Sequence, residues 1–452
     1  MPARALFHTA PRCVRIKEMP TPRAGAGEVV VTTLFSGISG GTERLIYRGE
    51  FPEGIALDDT IDALGGSFRY PFPYGYACVG EVKDWDRPVF AFQPHQDVFT
   101  ARPGDLIPLP AVDPASATLF PLVETALQVT LDAGAGYRDR VIVLGAAVLG
   151  LLTALLLQRS GQRPLCGEPL AWRRGLATSL GITAVMPEDL AKQEVPLVID
   201  ASGNPDAPGL ALDMLAPEGT LLVASWFGIK PVAMPLGGAF HRRRLTIRST
   251  QVSTIPARLS TRWTVSRRRL AAAELLPELP LAQLSTHVFP FSRAAEAFRA
   301  VDEGTPGLMH AVLDYQGAVS DLEVGLAREV RAFHVMPGLP GPEGQLHHHD
   351  YRIEIVVDRE QLDDRGMVCD LDVLEAAMGK LTGRIEGRNL EEIRPADAEA
   401  VTVKVFARWV HDTLSPAIAS AGGDTLAVRV WETPVAFGGY RHHVDHLPDH
   451  AG

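Results

Sequence analysis

The chain has 452 residues, 46% of them hydrophobic and 21% charged, with a formal net charge of −11. That length calls for two or three globular domains, and the acidic balance argues against nucleic acid or an anionic membrane as the main partner. The four cysteines (Cys13, Cys78, Cys166, Cys369) are scattered without CxxC spacing, so neither a disulfide framework nor a cysteine zinc knuckle is expected and a reducing cytosol suits the chain. The N-terminus, Met1-Pro2-Ala3-Arg4-Ala5-Leu6-Phe7-His8, lacks the apolar core of a signal peptide.

Residues 1 to about 125 read as short β segments separated by Gly and Pro, such as Glu28–Leu34 and Val79–Val82. From about 139 to 250 the pattern changes. Strand-like runs at Arg140–Leu144, Val195–Ile199 and Gly219–Val223 alternate with helical stretches, the signature of a parallel, doubly wound sheet. Val141–Leu157 is almost wholly apolar and near the length of a membrane span, but Gly145 and Gly150 punctuate it and its β-branched residues cluster at the start. A buried strand, a tight turn and a buried helix account for it. A basic helix over Arg262–Leu276 and a strand over Ala311–Tyr315 close this part, and a linker follows at 316–326.

Within the doubly wound part lies Val143-Leu144-Gly145-Ala146-Ala147-Val148-Leu149-Gly150. It ends a strand and opens a helix, the context a dinucleotide fingerprint requires. Gly145 would make the turn and Gly150 would allow close helix–strand packing, while Ala147 stands where a glycine would let the backbone approach the pyrophosphate. Glu168 falls about twenty residues on, where an acid holds ribose hydroxyls. An acid there repels a 2′-phosphate, which favours NAD(H) over NADP(H), although Arg173 and Arg174 lie close by. The alternative is a Rossmann-like layer without a nucleotide.

Beyond the linker the chain is a strand-rich α+β mixture. Strands flank a histidine run, helices are expected at Leu371–Leu381 and Asp397–Leu414, and a last strand at Thr425–Trp431. The run Leu346-His347-His348-His349-Asp350-Tyr351 leads into Tyr351–Val357, which alternates like a strand. Residues two apart on a strand share a face, so His347 and His349 can converge, and His334 would complete a three-histidine set. Three neutral nitrogens with an open fourth position hold zinc for catalysis. The plainer reading is an exposed polar run.

Residues 1–315 resemble the medium-chain dehydrogenase/reductase superfamily, through the glycine-rich β half, Gly75-x-x-x-Val79-Gly80-Glu81-Val82, the Rossmann half, and the return to the first half at the end. Ser36-Gly37-Ile38-Ser39-Gly40-Gly41-Thr42-Glu43-Arg44-Leu45 is similar to the branch containing bacteriochlorophyllide a dehydrogenase. The resemblance implies a GroES-like catalytic domain (1–128 and 251–315) and a Rossmann domain (129–250). Zinc members carry a cysteine where this chain offers Ser39 and Gly40, and Gly-His-Glu where it has Gly75-Tyr76-Ala77; the four-cysteine lobe is absent. The half is therefore expected to be a zinc-free dehydrogenase of an alcohol or carbonyl. A side chain must then relay the proton, and Thr42, Glu43, Tyr76 and His95 are the candidates.

Residues 327–441 resemble the 6-pyruvoyltetrahydropterin synthase / 6-carboxytetrahydropterin synthase family, with 442–452 as a tail. The carrying motifs are Val330-Arg331-Ala332-Phe333-His334, His347-His348-His349-Asp350-Tyr351, Leu362-Asp363-Asp364-Arg365-Gly366-Met367-Val368-Cys369-Asp370, Pro395-Ala396-Asp397-Ala398-Glu399 and Glu432-Thr433. The resemblance implies a tunnelling fold that forms homo-oligomers by sheet association. It also implies zinc on His334, His347 and His349, and a dihydropterin-like substrate anchored by Glu432 beside Thr433. Two departures bear on chemistry. Glu343 stands where the family has a catalytic cysteine, and the Asp-His pair is replaced by Glu386-Gly387, leaving Glu343 and Glu386 as candidate catalytic carboxylates. The expected function is a two-part, cytoplasmic enzyme, an NAD(P)-dependent dehydrogenase fused to a zinc-dependent lyase acting on a dihydropterin side chain. The alternative is a C-terminal module that binds pterin or oligomerises without turnover, beside a dehydrogenase of tetrapyrroles or sugar alcohols.

Overall fold

A computed structural model describes residues 2–58, 60–191, 193–316, 323–336, 341, 344–359, 362–363, 365–395, 398, 400–433 and 436–444. The chain divides into two compact units, residues 1–317 and 318–452.

The first unit is built around two large sheets. One is mixed, and its central strand β1 (Val29–Ile38) is followed by the short helix α1 (Thr42–Arg48). The other has six parallel strands. Its core members are β2 (Arg140–Leu144), followed by helix α2 (Val148–Arg159), then β3 (Arg163–Gly167) and β4 (Val195–Asp200). In space the order is Thr183–Val185, β3, β2, β4, Leu215–Val223, Thr246–Ser249. The chain therefore steps outward from β2 in one direction and then returns to continue from β4 in the other. A ligand crevice belongs at such a reversal, outside the carboxyl ends of β2 and β4. Val141, Ile142 and Val143 of β2 are fully buried, as a strand covered on both faces requires. Helix α2 is equally enclosed, with Leu151, Leu152, Ala154 and Leu157 at most 1% exposed. The apolar stretch is thus a strand–turn–helix of the core, and no helix among the described residues is long and apolar enough to cross a membrane.

After the parallel sheet the chain returns to the first one. Strand β5 (Ala311–Asp314) pairs antiparallel with β1, Ala311 opposite Ile38 and Asp314 opposite Phe35. The basic helix runs from Val265 to Leu275, and the Thr264 side chain caps its start by accepting from the Arg267 amide.

The second unit is a four-stranded antiparallel sheet with two helices. Its elements are β6 (Glu323–His334), β7 (His347–Asp358), α3 (Leu371–Ile385), α4 (Val403–Ser420), β8 (Thr425–Thr433) and β9 (Ala436–His443), with the strands in that spatial order. Val330 and Ala332 alternate inward on β6, Tyr351, Ile353, Ile355 and Val357 on β7, and Leu426, Val428 and Val430 on β8. They pack on Leu374, Met378, Leu381 and Ile385 of α3 and Phe406, Val410, Leu414 and Ile418 of α4, rows spaced by three or four residues as one helix face demands. The opposite face carries charge, including Arg331 paired with Asp350 at 2.7 and 2.8 Å.

Four features differ from the sequence reading. Residues 323–326, expected in a linker, are already strand, because Glu323 to Leu326 pair with Asp358 to Ile355. Helix α4 continues to Ser420, past Leu414, despite Pro416 within it; the expected start at Asp397 lies outside the described residues, and Thr402 caps the observed start by accepting from Val405. A further strand, β9, follows the expected last one and carries residues assigned to the tail. Helix α3 runs on to Ile385.

Candidate functional site

In the first unit the turn at the strand reversal is shaped by two glycines. Gly145 ends β2 with φ +93°, and a Cβ there would stand 2.7 Å from Ser202 Cα, beyond the end of β4. A Cβ on Gly150 would stand 1.9 Å from the Gly145 carbonyl oxygen. Both positions therefore exclude any side chain, and the first turn of α2 is drawn against the strand end. Ala147 is the N-cap of α2, extended and half-buried, so its methyl causes no break in the turn. Glu168, 2% exposed at the end of β3, accepts from the Ala146 amide at 2.8 Å and from the Leu170 amide at 2.9 Å. The acid thus braces the turn itself, with Arg173 at 3.9 Å. Asp200 was not anticipated. It is fully buried at the end of β4, and its Oδ1 accepts from Ser202 N and Oγ at 3.1 and 2.6 Å. Burial pushes its carboxyl up.

The candidate proton-handling residues fall into two layers. Thr42 opens α1, half-buried, and with Ser39 it lies near enough to the Tyr76 hydroxyl to favour its ionised form. Burial, then the Glu43 charge, push that hydroxyl well up. Ser39 and Gly40 lie in the region where zinc members of the resembled superfamily carry cysteine, and Tyr76 stands where they carry histidine. Beneath them Glu43 and His95 are fully buried. Glu43 accepts from the Ser39 amide at 2.9 Å and meets His95 Nε2 at 2.8 Å. His95 Nδ1 meets Ser36 Oγ at 2.7 Å, and Ser36 Oγ meets Tyr315 Oη at 2.9 Å. Both ring nitrogens of His95 are therefore engaged within the protein. The imidazole is not open to the cleft, so a reactant would reach it only through Glu43 or Ser36. Ser36 and Tyr315 were not singled out from the sequence; they meet because β5 pairs with β1, with the Tyr315 amide donating to the Leu34 carbonyl at 3.0 Å. Gly75, at φ +125°, makes room for the ring, since a Cβ there would lie 2.7 Å from His95 Cδ2.

In the second unit, register brings the histidines together. His334 on β6 stands directly opposite His347 on β7, and Ala332 opposite His349. Direct partners share a face, as do residues two apart, so all three rings lie at one end of the helix-covered face. Their ring centroids are 4.4, 4.8 and 5.1 Å apart, and one ligand nitrogen from each lies within 4.8 Å of the others. His348 points away, against Phe333. His347 Nδ1 donates to the Gln345 carbonyl at 2.8 Å, so Nε2 is the nitrogen a metal would take. Three imidazoles converging in this way fit a zinc-type ion, which neutral ring nitrogens would hold.

Glu432 reaches the same place. Its Oε1 lies 3.2 Å from His349 Nε2 and 3.6 Å from His334 Nε2, with the side chain 25% exposed. Thr433, exposed, ends β8. Glu386 is not turned to the histidines: it is exposed at the end of α3 and accepts from the Arg331 amide at 3.3 Å. Glu343 lies outside the described residues.

The first unit, a mixed sheet completed by a returning strand and a doubly wound sheet with a glycine turn at its reversal, has the fold of the medium-chain dehydrogenases. The second, an antiparallel sheet with both helices on one face, is a tunnelling-fold domain. Residues 323–443 match the model of the family described as 6-pyruvoyl tetrahydropterin synthase. The first unit is similar to 2-desacetyl-2-hydroxyethyl bacteriochlorophyllide A dehydrogenase of Cereibacter sphaeroides, 28% identical over 342 residues, 69% of this chain and 98% of that protein. It is also similar to glucose 1-dehydrogenase 2 of Haloterrigena turkmenica, 28% identical over 357 residues, 66% of this chain and 96% of that protein. Among solved structures, L-idonate 5-dehydrogenase of Escherichia coli superposes with a TM-score of 0.58 at 15% identity, over 70% of this chain and 99% of that one. The quinone oxidoreductase of Thermus thermophilus, also solved with NADPH, gives 0.54 at 24%, over 69% and 100%. The chain joins a unit with the medium-chain dehydrogenase fold to a domain that matches the 6-pyruvoyl tetrahydropterin synthase family model.

Proposed function

We propose that the chain is a two-part enzyme in which a zinc-free, NAD(P)-dependent dehydrogenase unit acts on an alcohol or carbonyl and a zinc-dependent domain acts on a dihydropterin side chain. The observation that carries the reading is the convergence of His334, His347 and His349 with Glu432 on one sheet face.

In the C-terminal domain the three histidines would hold zinc, which supplies Lewis-acid polarisation of the substrate side-chain oxygen. Glu432 offers two carboxylate oxygens to the paired N–H donors of a 2-amino-4-oxo ring, and leaving such donors unpaired would be costly. By its position in the resembled family's motif, Glu343 is the base that takes the side-chain proton. Oligomers form through the sheet edges, β6 and β9.

In the dehydrogenase unit the turn Gly145–Gly150 receives the pyrophosphate at the start of α2. Glu168 braces that turn and favours NAD(H). Tyr76, beside Ser39 and Thr42, would exchange a proton with the reacting oxygen. Glu43 and His95 position this layer from below.

Two observations favour a second reading of parts of the molecule. Glu386 faces Arg331 and not the histidines, as a binding module without turnover would have it. The relatives' names also point the dehydrogenase unit toward tetrapyrroles or sugars rather than pterins.

Elemental analysis of the full chain tests the metal reading, with about one zinc per chain expected and its loss in His347→Ala. Incubation with dihydroneopterin triphosphate and dihydroneopterin then tests turnover. Side-chain loss supports the lyase; pterin binding without product supports the module. Nicotinamide absorbance against reduced pterins and sugar alcohols tests the first unit.

A further inference from the structure

We infer that Glu432 is the fourth ligand of the metal while the C-terminal site holds no pterin, and that a pterin ring opens the site by taking this carboxylate away. The inference rests on the metal and pterin reading above.

The sheet register puts Glu432 there. Arg352 pairs with Trp431, so the next residue, Glu432, stands opposite Tyr351. Alternation assigns Glu432 to the face of Val428 and Val430, which is the face of the three histidines. Its neighbour Trp431 points the other way, where its indole Nε1 donates to Glu354 at 3.0 Å. The other nearby described carboxylates are committed elsewhere, Asp350 to Arg331 on the outer face and Glu386 to the Arg331 amide.

The distances are those of co-ligands rather than of a hydrogen-bonded ion pair. An imidazolium–carboxylate bond would be about 2.7–2.9 Å, whereas Glu432 Oε1 lies 3.2 and 3.6 Å from two ring nitrogens. Four donors placed tetrahedrally at about 2.0–2.2 Å from a zinc ion stand roughly 3.3–3.6 Å apart. The carboxylate oxygen therefore lies at about the edge length of such a shell from His349 and His334, and it would have to close further on His347, which with the other two histidines forms the set within 4.8 Å. Three imidazoles and one carboxylate make a closed shell, the arrangement zinc adopts where it does no chemistry.

One carboxylate cannot serve both partners fully. Pterin anchoring uses both of its oxygens, so the ring and the metal compete for Glu432. The side chain is one-quarter exposed and within a ring's reach. Binding of the ring would vacate a metal position only when the substrate is present, which keeps the site inert in its absence.

The test uses the full chain, stripped of metal and reloaded with cobalt(II) alone. Intense visible bands, the mark of four-coordinate cobalt, are expected for the wild type. Glu432→Gln should weaken them several-fold and weaken cobalt and zinc binding about ten-fold or more. Neopterin added to the wild type, which requires no substitution, should shift the spectrum in the same direction as Glu432→Gln. If Glu432→Gln matches the wild type in both spectrum and affinity, Glu432 is not a ligand and the shell is open at rest. If only neopterin fails to move the spectrum, the opening step is overturned. If the wild type takes up neither cobalt nor zinc, the metal reading itself falls and this inference with it.

Discussion

Glu43 and His95 meet at 2.8 Å with neither side chain exposed. Ser36 holds the opposite nitrogen of the ring and is in turn held by Tyr315. The pair is thus fixed from two strands that are distant in sequence, and it lies directly under the loop that carries Ser39 and Thr42.

Removing the ring should therefore cost more than removing the charge. His95→Ala leaves Glu43 buried without its main partner, and a loss of about 3–5 kcal/mol is expected. Glu43→Gln keeps a hydrogen-bonding group of the same shape and should cost about 1–2 kcal/mol. Urea unfolding of the first unit, followed in the full chain, ranks the two. Equal losses would mean that the contact contributes little.

Acid should destabilise the first unit through His8. This ring is fully buried, stacked on Phe72 and edge-on to Phe298, and neither nitrogen has a hydrogen-bond partner among the described residues. Burial, helped by His95, pushes its pKa down to about 3. The unfolded ring titrates near its ordinary value of about 6.5. Between those values the unfolded chain binds the proton and the folded one does not. Stability is thus full above about pH 6.5 and falls as the pH drops toward 3, by up to about 1.4 kcal/mol per pH unit. His310, pushed down to about 4 by burial, adds to the slope. His8→Phe should flatten it by one proton, read from urea midpoints at about pH 7 and about pH 5.

Dinucleotide binding should be lost at Gly150 and spared at Ala147. The Gly150 Cβ would stand 1.9 Å from a carbonyl oxygen, so Gly150→Ala must push the first turn of α2 off the strand end. NADH titration by fluorescence should show at least about ten-fold weaker binding, the effect of misplacing backbone donors to the phosphates. Ala147→Gly should stay within about three-fold of the wild type or bind more tightly, since the missing methyl only adds room. Unchanged binding in Gly150→Ala would place the nucleotide elsewhere.

A second buried pair offers a double-mutant cycle. Arg268, 1% exposed, donates to Glu124 Oε1 through Nε and Nη2 at 3.0 and 2.8 Å. Burial pushes the Glu124 carboxyl up, against the pull of Arg268. Arg268→Met alone should cost about 3–5 kcal/mol, and Arg268→Met with Glu124→Leu much less. Arg269, 3.6 Å from the same oxygen and one-third exposed, is a poorer substitute. Additive losses in denaturation would show the two side chains to be uncoupled.

The site residues legible in the sequence were those whose placement follows from local geometry. Gly145 and Gly150 could be read because their spacing answers a steric need of the strand–turn–helix. His347 and His349 could be read because a strand turns alternate residues to one face. Long-range pairing was not legible: nothing near Tyr315 signals that Ser36 lies beside it, or that the His95 ring is enclosed between Ser36 and Glu43. Helix α4 runs through Pro416 to Ser420, past the expected end at Leu414. Strand β9, beyond the expected last strand, contains Gly438-Gly439, and a Cβ on Gly438 would stand 2.8 Å from the Lys404 amide at the start of α4. Fold-level resemblance located Glu432 at the site, while its distance to the histidines came only from the register of β7 and β8.

The pairing of β5 with β1 also has a consequence for biosynthesis. Ile38 and Ala311 are sheet partners 273 residues apart (311 − 38). At roughly 5–20 residues per second, β1 would leave the ribosome some tens of seconds before the strand that covers its edge. During that time the edge has free amides and carbonyls, a template for mispairing. Tyr315, immediately after β5, completes the contact to Ser36 and through it to His95. The N-terminal sheet and the buried network under its loop are therefore assembled last, just as the C-terminal domain begins to emerge. Slow translation or a truncation before residue 311 should leave nascent chains dependent on chaperones.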